Sequence, residues 1–137
     1  MINSYLETLC KNHPYFREVI SCYAPIGYNE KIKAFVTWLE DFNGKNNCNI
    51  CFSQIKMKFG FLTIYVHDNN LKDETIPLFQ KETPLVHKVY EKIAELSYTV
   101  QKICEVCGKD LVESVCDSKI VWICFDHQQQ KYINLRR

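Results

Sequence analysis

The feature that most limits how this chain can fold lies in its last third. Cys104-Glu-Val-Cys107-Gly108 is one short pair of metal-type ligands, and Cys124-Phe-Asp-His127 is another, with sixteen residues between Cys107 and Cys124. Two ligands separated by two residues can chelate one ion from a single tight turn, and Gly108 lets the backbone fold under the sulfurs. Zinc takes four tetrahedral ligands from thiolates and imidazoles, so Cys104, Cys107, Cys124 and His127 form the expected set. Between the pairs, 111–115 and 119–123 read as strands about the turn Cys116-Asp117-Ser118, and Cys124 and His127 open a predicted helix over 125–134. A Cys-x2-Cys knuckle, a hairpin and a ligand pair in a first helical turn follow the order of a treble-clef zinc module. Asp126 adds a negative charge in that turn, where the helix dipole favours one. Two rival readings of the cysteines stand: buried thiols that pack like small apolar groups, and a redox Cys-x2-Cys. The second normally opens a helix after a βαβ-type strand, whereas this pair precedes a hairpin.

Four protein ligands would leave no position for water or substrate, so the site reads as structural. No Ser-His-Asp order, phosphate-cradling glycine loop or metal-carboxylate cluster accompanies it. Glu91 and Glu95 lie one helical turn apart, which a solvated helix face explains. His67 and His87 read as surface or satisfied groups, and Cys116 as incidental, with the alternative that it substitutes for His127 as a ligand. Cys48-Asn-Ile-Cys51 is a second Cys-x2-Cys that lacks a matching pair, although Cys10, Cys22 or His13 are candidates to complete it.

The chain has 137 residues, 47% of them apolar, enough for one domain with a real core. The net charge of +1 gives no global basic field of the kind a dedicated nucleic-acid binder shows. Eight cysteines are many for this length. The residues 1–7 carry neither a basic n-region nor an apolar segment, so no secretory leader is expected, and no run of about eighteen apolar residues suggests a membrane span. A reducing cytoplasm without structural disulfides is therefore expected, with an oxidised, leaderless export route as the alternative.

Along the first two thirds, residues 3–12 show helical spacing that His13-Pro14 should end. Tyr15, Phe16, Val19 and Ile20 form a short apolar segment, and 21–27 reads as loop. Ile32, Phe35, Val36, Leu39 and Phe42 define a helix over 29–43, capped by Asn29 and closed by Asn43-Gly44. Period two over 51–59 and a run rich in β-branched and aromatic residues over 61–67 predict an antiparallel hairpin around Gly60. The stretch 71–82, with Pro77, is a polar connection. Thr83-Pro84 opens a helix over 84–98 with Val86, Val89, Tyr90, Ile93 and Ala94 on its core face.

Between Lys45 and Lys72 four lysines face one aspartate, a local excess of +3. Lys56 and Lys58 project from the predicted outer face of the hairpin beside Phe52, with Tyr65 near. Lysines interleaved with aromatics can engage phosphates and bases. Lysines on a strand edge also simply block aggregation.

Phe52-Ser-Gln-Ile-Lys-Met-Lys-Phe-Gly60, Ile64-Tyr-Val66, Ala94-Glu-Leu-Ser97, Cys104-Glu-Val-Cys107-Gly108 and Trp122-x-Cys124-x2-His127 resemble a family of small proteins common in bacteriophages and prophages. Its pattern is an SQ(I/V)KEKFGGLRFY hairpin, a helix, CEVCG and a W…LCDxH close. His13-Pro-Tyr-Phe16 is similar to the family's YPxxF segment and Gly27-Tyr28 to its Gly-Trp, so the similarity spans nearly the whole chain. The family has no settled biochemical activity. The resemblance implies a zinc site and a viral or mobile-element context. Phe61 stands where the family has its second hairpin glycine, Thr63 where it has an arginine, and Lys109-Asp110-Leu111 where a proline-glycine follows the knuckle. An anion contact made by that arginine would be lost here.

The expectation is a single α+β domain over 1–137: N-terminal helices and a β-hairpin over 1–100, with a treble-clef-like zinc module over 101–137. The function expected is that of a non-enzymatic, zinc-stabilised interaction protein, a phage-borne modulator of a host factor or anti-defence inhibitor, with a host protein as partner. The rival is a nucleic-acid-binding module using Lys56, Lys58 and Tyr65 with the tail Lys131, Arg136 and Arg137. A metal-dependent nuclease is a third class and needs an open metal position. No membrane partner is expected, and the oligomeric state is not fixed by the sequence.

Overall fold

The computed structural model describes residues 3–16, 21–71, 83–116 and 119–124. The first helix, α1 (Ser4–Asn12), is capped by Asn3, whose side-chain oxygen accepts from the Leu6 amide. The same side chain donates to the Ala24 carbonyl and to Asn29 Oδ1, each at 2.8 Å. One buried asparagine thus starts α1 and ties it to the start of α2 (Asn29–Asn46). Asn29 does not cap α2 as the sequence suggested. It is already helical, Tyr28 holds the cap position, and the Asn29 side chain is occupied by Asn3.

The expected stop at Asn43-Gly44 also fails. Asn43 is buried and faces the following strand: its amide donates to the Ile50 carbonyl and its oxygen accepts from the Ile50 amide. With that side chain spent on tertiary bonds, α2 runs one turn further and ends at Asn47, which takes the left-handed conformation (φ 51°).

Strand β1 (Ser21–Cys22), in a stretch read as loop, pairs in parallel with β2 (Ile50–Lys58), and β2 pairs antiparallel with β3 (Phe61–Asp68). The turn residues Phe59 and Gly60 both have positive φ, as the common two-residue hairpin turn requires. The register slips between Phe52 and Gln54, leaving Ser53 as an extra residue whose hydroxyl donates to the Tyr65 carbonyl. This bulge reverses the strand's inward phase. Before it Ile50 and Phe52 point into the core; after it Ile55 does. Phe52, expected on the outer face beside the lysines, is instead fully buried and stacked on Phe16 at 4.1 Å.

Thr83 caps the third helix, α3 (Pro84–Val100), by accepting from the Val86 amide. Val86, Val89, Ile93, Leu96 and Val100 face the core, while Ala94, expected among them, is exposed. α3 packs on β3 and against α2. The Tyr90 hydroxyl donates to the Val66 carbonyl and accepts from the Val66 amide, both at 3.1 Å. A second, two-stranded sheet pairs β4 (Val112–Cys116) with β5 (Lys119–Ile123), so the C-terminal hairpin forms where expected, with Cys116 inside β4. The chain is therefore α+β with two antiparallel hairpins and helices on the first sheet.

The Cys10 and Cys22 sulfurs lie side by side between α1 and β1, placed to pair as a disulfide, an arrangement the sequence reading did not expect. The pairing depends on β1 lying beside α1, a long-range placement that spacing alone does not reveal. Val19 and Ile20, the connection over 72–82, the turn at 117–118 and the helix expected over 125–134 lie outside the described residues. Among the described residues no helix is long and apolar enough to cross a membrane.

Candidate metal centre

Helix α3 feeds directly into the knuckle. Ile103 is buried as the last anchor of the core, and it bridges to Asp110, while the Leu111 amide donates to the Lys102 carbonyl. Between these ties the chain turns tightly: the Cys104 amide donates to the Lys109 carbonyl and the Gly108 amide to the Cys104 carbonyl. Gly108 carries φ 76°, which a side chain would strain.

The knuckle also meets the body of the protein backbone to backbone. The Gly27 amide donates to the Glu105 carbonyl at 2.7 Å. A Cβ at Gly27 would lie 2.0 Å from the Cys104 carbonyl oxygen, and one at Gly108 would lie 2.7 Å from the Gly27 carbonyl oxygen. Two glycines therefore permit an approach that no other residue allows. Sequence reasoning missed this seat; its one signal was the match of Gly27-Tyr28 to the Gly-Trp of the resembling family. Tyr28 is buried here, and burial first, then the charges of Glu105 and Cys104, push its hydroxyl up to about 12.

The Sγ atoms of Cys104, Cys107 and Cys124 all lie within 4.8 Å of one another, with Cys107 and Cys124 3.5 Å apart. A tetrahedron with metal–sulfur bonds of about 2.3 Å has sulfur–sulfur edges of about 3.8 Å, so the spacing suits a shared ion. Cys124 reaches the knuckle from the end of β5, and Cys104 and Cys124 are buried while Cys107 is exposed. Burial raises the Cys104 thiol's pKa, but hydrogen bonds from the Cys107 and Val106 amides and from the Cys124 and Cys107 thiols outweigh it and bring it down to about 6. A thiolate is thus favoured at neutral pH before any metal arrives. These three residues are close enough to hold a metal ion and are the one such group among the described residues. His127, the fourth ligand expected from sequence, lies outside the described residues.

Among the described residues Cys48 and Cys51 join no such group: the Cys48 thiol donates to Asn43 Oδ1, and Cys51 contacts Asn49. The lysines and Tyr65 lie on the outer face as expected, and only Phe52 departs from it. Lys56 and Lys58 do lie on the solvent face of β2, across from Thr63 and Phe61, and Lys56 Nζ stands 5.7 Å from the centre of the Tyr65 ring. Phe52 is excluded from that face by the bulge, and Phe61 and Tyr65 supply its exposed rings.

No family model matches the chain, nor does any curated protein or solved structure.

Proposed function

We propose that the chain is a non-enzymatic interaction protein whose C-terminal part is clamped by zinc, acting as a phage or mobile-element modulator of a host defence protein in the host cytoplasm. The convergence of three cysteine sulfurs on a knuckle seated backbone-to-backbone against Gly27 carries the clamp, and the resemblance to the phage and prophage family supports the context. Metal held there joins β5 to the end of α3 and fixes both against the body of the protein, the work of a clasp. Thiolate-rich sets select zinc among common cellular ions, and His127 is the residue placed in sequence to complete four ligands. Structural zinc in small modules contributes about 10–16 kcal/mol of apparent binding energy. A hollow of about 420 Å³ between the hairpin tip and the knuckle, lined by Tyr28, Phe59 and Phe61 beside the polar Gln101, Lys102 and Glu105, supports a protein partner, since aromatic groups in clefts with a polar rim anchor such contacts.

The reading is tested by metal analysis, X-ray absorption and affinity capture from a bacterial host. Wild-type protein should carry one zinc with three sulfur ligands and one nitrogen. Cys104→Ser and Cys124→Ser should lose the ion and the captured host protein together. Equal, near-zero zinc in all three refutes the clasp. A coordinated water in place of the nitrogen would favour the metal-enzyme class instead. A second reading, nucleic-acid binding, is favoured by one observation: Lys56 and Lys58 share one solvent face of the hairpin with the exposed rings of Phe61 and Tyr65.

A further inference from the structure

The geometry points to the solvent face of the β2–β3 hairpin as a platform for single-stranded nucleic acid, with Phe61 and Tyr65 stacking on bases and Lys56 and Lys58 meeting phosphates. This rests on the second reading above and names its ligand and residues. After the bulge at Ser53 the face consists of Gln54, Lys56 and Lys58 on β2, opposite Tyr65, Thr63 and Phe61 on β3. It holds two cations, two rings and two neutral hydrogen-bonding groups, and no acid. Phe61 is 50% exposed and Tyr65 37%. They stand four residues apart on one strand, about 13 Å, so two separate bases can be served. Each ring is paired with a cation: Lys58 lies directly across from Phe61, and Lys56 reaches Tyr65 diagonally. At the tip Phe59, 89% exposed, is held at φ 53°, a conformation that costs energy for any residue with a bulky side chain. It extends the row of rings, with Lys58 Nζ 5.9 Å from its centre.

The chemistry selects among anionic partners. Flat exposed rings need unstacked base faces, which a duplex does not offer, so the single strand is favoured. Lysine is depleted at protein–protein interfaces, where arginine is the enriched cation. As a compact charge lysine serves phosphate well. A face combining lysines with open rings therefore fits nucleic acid better than an acidic protein.

The test uses the full-length zinc-loaded protein and fluorescence anisotropy with labelled oligo(dT), oligo(U), a duplex of matched length and poly-glutamate, each across a salt series. Both single strands, or one of them, should bind more tightly than duplex and poly-glutamate. Lys56→Gln and Lys58→Gln should each flatten the dependence of log K on log salt by about 0.7. Tyr65→Ala and Phe61→Ala should weaken binding between about 5-fold and 100-fold, with Tyr65→Phe restoring it. Thermal melting and zinc content confirm that each variant folds. The inference is overturned by no binding at low salt, by equal binding of poly-glutamate, or by folded variants that bind like wild type. Intact zinc content alongside any of these outcomes leaves the clasp standing, so the two failures are distinguishable.

Discussion

Replacing Gly27 with alanine tests the seat of the knuckle with one methyl group. Gly27 does not use a left-handed backbone, so alanine is conformationally acceptable there and only space is at issue. The new Cβ would lie 2.0 Å from the Cys104 carbonyl oxygen and 2.6 Å from the Glu105 carbonyl carbon, where ordinary contact begins at 3.4 Å. Both obstacles are backbone and cannot rotate away. The two segments must part by about 1.4 Å, which stretches the 2.7 Å bond from Gly27 to Glu105 past any useful length. Overpacking costs about 1–3 kcal/mol and the lost buried hydrogen bond about 1 kcal/mol. Together they predict a loss of about 2–4 kcal/mol, a fall in Tm on the order of 10 °C for a chain of this size. Because the displaced carbonyls belong to the metal loop, zinc affinity should fall too. Circular-dichroism melting and competition with a chromophoric zinc chelator read the two effects. A Gly27→Ala protein that melts and holds zinc like wild type would sink the account of how the halves meet. Gly44→Ala is the matched control: it lies inside α2 with nothing within 4 Å of an added methyl group, and should stabilise by about 1 kcal/mol.

Asn43→Ala removes the side chain that serves both backbone groups of Ile50, and should cost about 2 kcal/mol in urea unfolding; a loss below a few tenths would mean water replaces it without penalty. Phe59→Asn relieves a left-handed aromatic at the tip and should raise stability by about 1 kcal/mol, so a lower urea midpoint would count against strain there. The zinc-free chain should be sensitive to pH through Cys104. Its thiol is held down to about 6 in the folded state against 9.0 ordinarily, so the unfolded chain binds more protons between those values. Stability should rise with pH across that window and be lost as pH falls through about 6; a Cys104→Ser protein with the same slope would exclude that thiol as the cause.

What the sequence made legible was what local chemistry decides. Thr83-Pro84 announces α3, the run of β-branched and aromatic residues announces β3, and the ligand spacing brings three sulfurs together. What escaped was decided across the chain. The alternation over 51–59 looks unbroken because a bulge at Ser53 leaves no mark on a polar–apolar pattern; only the pairing with β3 shows that Phe52 turns inward. Asn43-Gly44 is a fair stop signal, but the asparagine is worth more to Ile50 than to the helix end. The cap at Asn29 was lost to Asn3, 26 residues away. β1, the Cys10–Cys22 juxtaposition and the glycine seat all require knowing which segments are neighbours, information held in no single window of residues.

Tyr90 has a consequence for how the protein behaves in a crowded solution. β3 is the outermost described strand of its sheet, and an outer strand is a template on which another chain can crystallise, one hydrogen-bonded rung at a time. At Val66 a single hydroxyl fills both the donor and the acceptor position that an incoming strand would need. It imitates one rung of a neighbour that can never be extended, because the next atom along is an aromatic ring. Exchanging Tyr90 for phenylalanine would leave the ring in place but strip both Val66 groups of their partner, so the edge would be weakened without being opened.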